Sequence, residues 1–536
     1  MRAEADQRFD YVIVGGGAAG CVLAARLSED PHVSVLLLEA GGTPRSPWIE
    51  IPAAFGKTWK DPRFNWNFAT QPEPGTHDRR IAVPRGKSLG GSTLINGSIF
   101  VRGQARDYDG WAQSGARGWS FEEVLPYFRR LERFVDGMPD ALRGRDGPLD
   151  VIRVRERHPL LDAFIEAGVE AGHPRNPDYN GSSQEGFGYY QVTQRAGRRW
   201  SAYRAYLQPA MRRPNLDVRT HAQAMRVLIE DGRATGIAYR RAGRDETVRA
   251  NAEVILAAGA VQTPQLLELS GIGDGKLLSR HGIGVVLEAP GVGENYQDHY
   301  ATRMNWRVTQ PITLNEQTRG WRLALAAAEY LLQRRGILTL ATGLAHGFVR
   351  TRAECETPDV QYFFVHASYA DAADRKLDRE PGMTIGVTQL RPQSRGSIHI
   401  GSPDPFAVPE IRPNFLADPE DRDCLVQGMR MARTIMGKAP MEAFRGAELN
   451  PGSAITSDAE LLDFARRTGQ TIYHPVGTCA MGSGPEAVVD PQLRLRGIDG
   501  LRIADASVMP RIVSANTMAA VIMIAERAAD LIRSSR

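Results

Sequence analysis

The sequence predicts an α/β dinucleotide-binding domain of Rossmann-like type, interrupted by an inserted α+β domain with a mostly antiparallel sheet. Three observations carry this. First, the apolar run Tyr11–Val14 stops at Gly15-Gly-Gly-Ala-Ala-Gly20, and a second apolar run, Val35–Leu38, follows. That is the order strand, turn, helix, strand of a parallel sheet buried on both faces. Second, a strand-to-glycine passage recurs at Glu253-Val-Ile-Leu-Ala-Ala-Gly259, and Leu501-Arg-Ile-Ala504 supplies another short apolar run near the end of the chain. Third, between them lie strand patterns in succession with few helical crossovers, which points to antiparallel pairing. The sheet begun near residue 10 is therefore expected to be completed by the other end of the chain.

The opening motif justifies itself residue by residue. Gly15, Gly17 and Gly20 have G-x-G-x-x-G spacing. Gly15 makes the tight turn, Gly17 admits a pyrophosphate close to the backbone, and Gly20 lets helix and strand approach. Ala18 and Ala19 begin the helix, whose free N–H groups and positive dipole end would meet the phosphates. Glu39 ends the second strand about twenty residues on, placed for a ribose hydroxyl. This much predicts a dinucleotide and leaves NAD and FAD both open.

Bulk properties narrow the class. Hydrophobic content of 42% and charged content of 24% describe an ordinary globular protein, and 536 residues suffice for two or more structural units. A net charge of +4 over this length predicts neither a nucleic-acid nor a membrane partner. There is no run of about 18 apolar residues. Met1–Arg8 is polar and leads straight into the first strand, leaving no room for a signal peptide. The four cysteines are scattered without C-x-x-C spacing, and the 11 histidines form no ligand pattern. No metal is expected, and reduced thiols suit the cytoplasm.

Taken in order, Phe64-Asn-Trp66-Asn-Phe68 has no periodicity and reads either as loop packing or as an aromatic wall over a cofactor. Gly86-Lys-Ser-Leu-Gly-Gly-Ser-Thr-Leu-Ile-Asn96 offers closely spaced N–H and hydroxyl donors, as a structural loop or a second cofactor loop. Trp111–Phe134 has helical spacing with a capped start at Ser120. Residues 204–212 read as an amphipathic helix. Leu216–Arg219, Ala224–Glu230, Ile237–Arg240 and Ala252–Ala257 read as strands, and Thr263-Pro264 as a helix start with proline in its first turn. Trp321–Arg335 is a long helix, followed by strands at Val360–Phe364, Met383–Leu390 and Ser397–Ile400. The last helix opens at Thr517 after Ser514-Ala-Asn516. From the residues alone, His474 is a loop histidine before a proline and Asn516 a helix cap.

These segments together resemble the glucose-methanol-choline (GMC) family of FAD-dependent alcohol oxidases and dehydrogenases, nearly end to end. Gly86–Asn96 is similar to its first signature and Gly259-Ala-Val-Gln-Thr-Pro-Gln-Leu-Leu-Glu-Leu-Ser-Gly-Ile-Gly273 to its second. Pro290–His299, Tyr473-His-Pro-Val-Gly-Thr-Cys-Ala-Met-Gly482 and Asp505-Ala-Ser-Val-Met-Pro510 complete the set. The resemblance implies an FAD-binding domain of GMC type in residues 1–155, 216–300 and 471–536. It implies a substrate domain in 156–215 and 301–470. It decides for FAD, with Gly15, Gly17, Ala18, Ala19, Gly20 and Glu39 at the adenosine diphosphate and Val227 facing the adenine. Trp66, Leu89, Gly91, Ser92, Asn96, Gly97, Ser98, Ile99, Ala258, Gly259, Asp505, Ala506, Thr517 and Met518 complete the expected cofactor site.

The same resemblance makes His474 the catalytic histidine and Asn516 its partner. The reaction implied is hydride transfer from an alcohol to flavin N5, with His474 as base and Asn516 donating to the substrate oxygen. Electrons would pass to a quinone-like acceptor or, in an oxidase, to oxygen; a lyase or photodecarboxylase is the non-redox alternative within the family. Ile95 stands where some members carry a histidine bonded to FAD, so the FAD is expected to be noncovalent. Leu344 falls where choline-oxidising members have a carboxylate, which predicts a primary alcohol, polyol or sugar-like substrate rather than choline. Arg391 and Arg395 are expected to be structural rather than pocket-lining.

Overall fold

The structure, a computed structural model, describes residues 7–137, 140–371 and 376–535. Among these residues one seven-stranded sheet organises the dinucleotide-binding domain. Leu216–Arg219, Val35–Leu38, Arg8–Val14 and the second half of Arg244–Leu256 lie parallel in that order, and Leu501–Ile503 joins Val254–Leu256, also parallel. The C-terminal run thus pairs beside the strand that the distant Glu253–Gly259 passage predicts. The first half of Arg244–Leu256 turns the sheet over, pairing antiparallel with Arg233–Arg241, which pairs in turn with Ala222–Glu230. A 13-residue strand serves both neighbourhoods, and that is why its sequence changes from charged to uniformly apolar along its length.

Two helices close the parallel face. Ala18–Leu27 is buried along nearly its whole length, and Met518–Arg533 packs against it. Arg26 pairs with the buried Glu526 at 2.9 Å, and Arg130 pairs with the same carboxylate at 2.8 Å. Leaving Glu526 without them would strand a charge in the core, so these ion pairs fix how the chain ends meet.

The substrate domain is built on a second seven-stranded sheet. Its order is Arg445–Asn450, Tyr300–Val308, Gly382–Gln389, Val360–Val365, Ala345–Val349, Gly186–Tyr189, with Gln470–Thr471 also on Tyr300–Val308. Every pairing is antiparallel. Ser397–His399 is a strand but stands outside this sheet, paired with Glu410–Arg412.

Several elements differ from expectation for identifiable reasons. Trp111–Phe134 is two helices, Ala105–Gln113 and Phe121–Leu131, separated where Gly115 and Gly118 take positive φ. Residues 204–212 form a π-turn, Tyr203–Leu207, and a short helix, Gln208–Ala210. The helix after Leu256 starts at Gly259, so Pro264 lies inside it rather than in its first turn. Proline leaves the carbonyl of Ala260 without its helical N–H, and the Thr478 hydroxyl donates to that carbonyl at 2.7 Å.

Candidate active site

One long cavity runs from the C-terminal ends of the parallel strands onto one face of the second sheet, lined by Val14, Leu38, Ala257 and Asp505 at one end and by Thr342, Phe363 and Thr384 at the other. Ligand crevices in open α/β sheets form outside the carboxyl ends of the strands, as here.

The first half has the features of a dinucleotide cradle. A Cβ on Gly15, at φ +101°, would stand 2.5 Å from the Ala257 carbonyl oxygen, and one on Gly20 would stand 1.8 Å from that of Gly15. Those two glycines serve the turn and the helix–strand contact. Gly17 is different: a Cβ there would meet only Ala257 O, at 3.9 Å, while the residue lines the cavity. Protein packing does not require glycine at that position, and its open side faces the cavity, where a missing side chain lets a ligand approach the backbone. The helix behind it has no side-chain cap, which leaves its first amides for an anion. Glu39 is 7% exposed and accepts from the amides of Gly16 at 2.8 Å and Gly41 at 2.7 Å. Burial pushes its pKa up, against those amides. Each carboxylate oxygen keeps a lone pair for a ribose hydroxyl. The residues present fit FAD.

Of the positions expected from sequence, Gly15, Gly17, Ala18, Ala19, Glu39, Trp66, Gly91, Ser92, Asn96, Gly97, Ser98, Ile99, Ala258, Gly259, Asp505, Ala506, Thr517, Met518, His474 and Asn516 all line this cavity. Ile95 lines it too. Gly20 and Leu89 lie behind the wall, with Leu89 against Gly16. Val227 does not reach it: its amide donates to Ser270 Oγ at 2.9 Å, and Ala222, Gln223 and Ala224 of the same strand face the cavity instead. A bulge between Ala224 and Arg226 separates these residues from Val227 in the strand's register. Trp66 settles the Phe64–Phe68 stretch as part wall and part packing: it stacks on Phe68 under Lys87, while Phe64 enters the core. Asp505 spends its oxygens on Gly259 N, Thr263 Oγ1 and Ser507, tying loops together.

Under the Asn96–Ser98 loop lies a residue sequence gave no sign of. Arg199 is 2% exposed and donates to Asn96 Oδ1 at 2.6 Å, Ser98 Oγ at 2.8 Å and the Ile49 carbonyl at 3.2 Å. Burial alone brings its pKa down to about 10.

His474 is set by a strand ladder. Ala301 and Tyr300 pair with Gln470 and Thr471, Ile472 N donates to His299 O at 3.0 Å, and Gln297 bridges Val476. Only Asp298 lies between Gln297 and His299, whereas Tyr473, His474 and Pro475 lie between Ile472 and Val476. The surplus bulges into the cavity, with Tyr473 at φ +73°. Such a conformation costs on the order of 1 kcal/mol for a non-glycine residue. The bulge is clamped from both sides. Asp298 Oδ1 accepts from His474 N at 2.8 Å, its other oxygen accepts from Tyr296 OH and Thr471 Oγ1, and Arg85 Nη2 donates to Tyr473 O at 2.5 Å.

The ring contacts then fix which nitrogen carries the proton. His299 Nε2 lies 3.0 Å from the Leu390 carbonyl, which can only accept, so His299 is protonated there. Its Nδ1 is then a lone pair when neutral, and it lies 3.0 Å from His474 Nδ1, which must be the donor. His474 Nε2 is left as a lone pair on the cavity side, 3.2 Å from Asn516 Nδ2. The Asn516 amide is oriented by Gln361 Nε2, which donates to its Oδ1 at 3.4 Å. Burial, followed by His299 and Arg85, holds His474 well below its ordinary pKa, and burial brings His299 down to about 4. The arrangement is a neutral base at the cavity wall whose lone pair accepts from the Asn516 amide. Asn516 is not the helix cap: Thr517 holds the N-cap position, without a side-chain cap hydrogen bond. His299 closes the Pro290–His299 motif, and its place beside Asp298 in that motif was the only sequence signal for it.

Two expectations about the far end change. Leu344 is fully buried in the core, outside the cavity, and Thr342 stands at the wall instead. The inference against choline drawn from Leu344 therefore has no footing. Arg391 and Arg395 are structural: Arg391 donates to Ser514 Oγ at 3.0 Å and Asp107 at 3.1 Å, and Arg395 to the carbonyls of Pro392, Gln393 and Ser394.

Comparison with known proteins gives the chain's relatives. The family pattern described as GMC oxidoreductase matches residues 9–301, and a second pattern of the same description matches 392–525. The chain is 44% identical over 525 residues to an oxygen-dependent choline dehydrogenase of Rhizobium etli, spanning 97% of this chain and 95% of that one. Among solved structures it is similar to pyridoxine 4-oxidase from Mesorbium loti, with TM-score 0.88 and 32% identity over 97% of this chain and 98% of the other. It is also similar to a formate oxidase of Aspergillus oryzae, with TM-score 0.93 and 27% identity over 100% and 99%.

Proposed function

Because this chain belongs to the GMC oxidoreductase family, we propose that its cavity holds FAD noncovalently and oxidises an alcohol, with His474 as base and Asn516 as hydrogen-bond donor. The assignment of residues 1–155, 216–300 and 471–536 to the FAD-binding domain, and of 156–215 and 301–470 to the substrate domain, is part of the same reading. Gly15, Gly17, Ala18, Ala19 and Glu39 hold the adenosine diphosphate end. Gly91, Ser92, Asn96–Ile99, Ala506, Thr517 and Met518 hold the other end. With Ile95 in the wall, that position offers no nucleophile for a covalent link. FAD supplies the hydride acceptor when bound.

The observation that carries the reading is the proton ordering around His474. A substrate hydroxyl entering between His474 Nε2 and Asn516 Nδ2 meets one acceptor and one donor. His474 Nε2 takes the hydroxyl proton as negative charge grows on the oxygen, and Asn516 stabilises that charge. The imidazolium that results keeps its Nδ1–H on His299. The depressed pKa keeps His474 neutral at neutral pH, so the base needs no prior deprotonation.

Beyond the histidine the wall is formed by Phe55, Trp59, Ala301, Arg303, Val365 and Tyr369, with Thr342 and Thr384. No carboxylate lines that end among the described residues, which favours an uncharged primary alcohol, polyol or sugar-like substrate. A second reading is choline: the Rhizobium relative is named for it, and Trp59, Tyr473 and Phe363 offer aromatic faces to a quaternary ammonium. Steady-state turnover of choline and of neutral alcohols, with oxygen or a soluble quinone as acceptor, decides between them. Preference for a neutral alcohol with the quinone supports the first reading. Preference for choline replaces it, and rapid peroxide release makes the enzyme an oxidase.

A further inference from the structure

The helix Gly320–Gln333 is unlike a normal surface helix. Only Ala326 and Tyr330 are buried. Trp321, Leu325, Ala328 and Leu332 fall at i, i+4, i+7 and i+11, one line along the helix on the side opposite that buried pair. Trp321 is 69% exposed, Leu325 60%, Leu331 66% and Leu332 84%. Within the helix the only charges are Arg322 and Glu329. A solvent-facing stripe of one tryptophan and several leucines is not what water selects.

Its charges have a matching arrangement. Residues 319–335 contain four arginines and one glutamate, with Arg319 and Arg322 at the start and Arg334 and Arg335 at the end. Two arginines at a helix N-terminus oppose the helix dipole, and no acid stands in that first turn to relieve them. The apolar stripe is thus flanked at both ends by cations: the N-terminal pair opposes the helix dipole, with Arg319 also donating to the Leu377 and Asp378 carbonyls, and Arg334 and Arg335 follow the C-terminus, where the dipole favours them. We infer that this helix docks on an anionic lipid surface, with Trp321, Leu325 and Leu332 entering the headgroup–acyl boundary and the arginines meeting phosphates. A second copy of the chain fits less well. In a two-fold interface the same patch meets itself, and either helix orientation then brings arginine ends against arginine ends. The whole-chain charge of +4 hides this local cluster, and that is why the sequence average argued against any membrane partner. Docking by one face is distinct from crossing: no helix among the described residues is long and apolar enough to span a membrane.

The position of the helix gives docking a use. The chain continues from it through Ile337–Thr339, which packs on Pro52–Ala54, to Thr342 in the cavity wall, and Phe55 lines the same region. The helix is thus joined by a short segment to the wall of the substrate end of the cavity.

The test is flotation of the FAD-loaded protein with phosphatidylcholine vesicles, with and without phosphatidylglycerol. Recovery with the phosphatidylglycerol vesicles, falling as salt is raised, is expected. The double substitution Leu325→Asp, Leu332→Asp should reduce that recovery by at least about tenfold while leaving the melting temperature and gel-filtration volume unchanged. Absence of flotation with either vesicle overturns the proposal, as does equal binding to both. A wild-type dimer that the double substitution converts to monomer also overturns it, in favour of a second copy as the occupant.

Discussion

At the scale of single residues, the proposed chemistry rests on His474, and its neighbours set how it would act. Replacing His474 by alanine should lower kcat by about 10²–10⁴-fold while leaving FAD bound, measured as turnover per bound flavin. Asn516→Ala should cost on the order of 10² in kcat, with a smaller change in KM, because the donor acts mainly on developing charge. His299 is a positioning residue: His299→Gln can still accept from His474 Nδ1–H, whereas His299→Leu cannot. The leucine variant should lose activity and shift the ¹⁵N signals of His474 toward the other tautomer, and the glutamine variant should restore both. Equal loss in the two variants would reduce His299 to packing. Sequence points to His474 through the long Tyr473–Gly482 motif, and to Asn516 only through the family's second catalytic position. It could not identify His299 as the tautomer-setting group, because that role depends on Leu390 O, which is remote in the chain and exposes no side chain to a motif.

At the scale of elements, the active-site bulge and the helix beside it are coupled. Thr478, four residues after His474, satisfies the carbonyl that Pro264 orphans in the helix Gly259–Leu269. Thr478→Val should therefore destabilise the protein by about 1–3 kcal/mol, read as a lower denaturation midpoint with an unchanged slope. The parallel strands and the Gly259 helix were legible in the sequence through apolar runs stopping at glycine. The position of Pro264 was misplaced because proline is tolerated inside a helix when a side chain from elsewhere supplies the missing hydrogen bond. Val227 lies outside the cavity lining while Ala222–Ala224 line it, and the strand bulge between them leaves no mark in hydrophobic alternation.

At the scale of the whole molecule, the two domains were legible from the order of patterns, and the closure of one sheet by both chain ends from Leu501–Ala504. The surface helix was legible as an element but not as a surface, since only the fold reveals which side of it is covered. Burial of neutral histidines also sets a whole-molecule property. His299 at about 4 and His366 at about 3, with His474 well below its ordinary value, are all depressed in the folded state. The unfolded chain binds their protons first, so their contribution is complete above about pH 6.5 and is lost as pH falls toward 4, at up to about 1.4 kcal/mol per pH unit for each group. Thermal melts should show the melting temperature falling below pH 6.5. His366→Phe, which can keep the stack on His158, should flatten that fall, and an unchanged pH profile in the variant would contradict the assignment.

The central claim is that His474 takes the hydroxyl proton during alcohol oxidation. Its most direct test is anaerobic single-turnover bleaching of the bound flavin by an alcohol, followed across pH in wild type and His474→Ala. The account predicts rapid bleaching in wild type that stays constant from about pH 6.5 upward, because the base is already neutral, and bleaching at least about a hundredfold slower in the variant. Equal bleaching rates in the two proteins, or no bleaching of wild type by any alcohol, would contradict it.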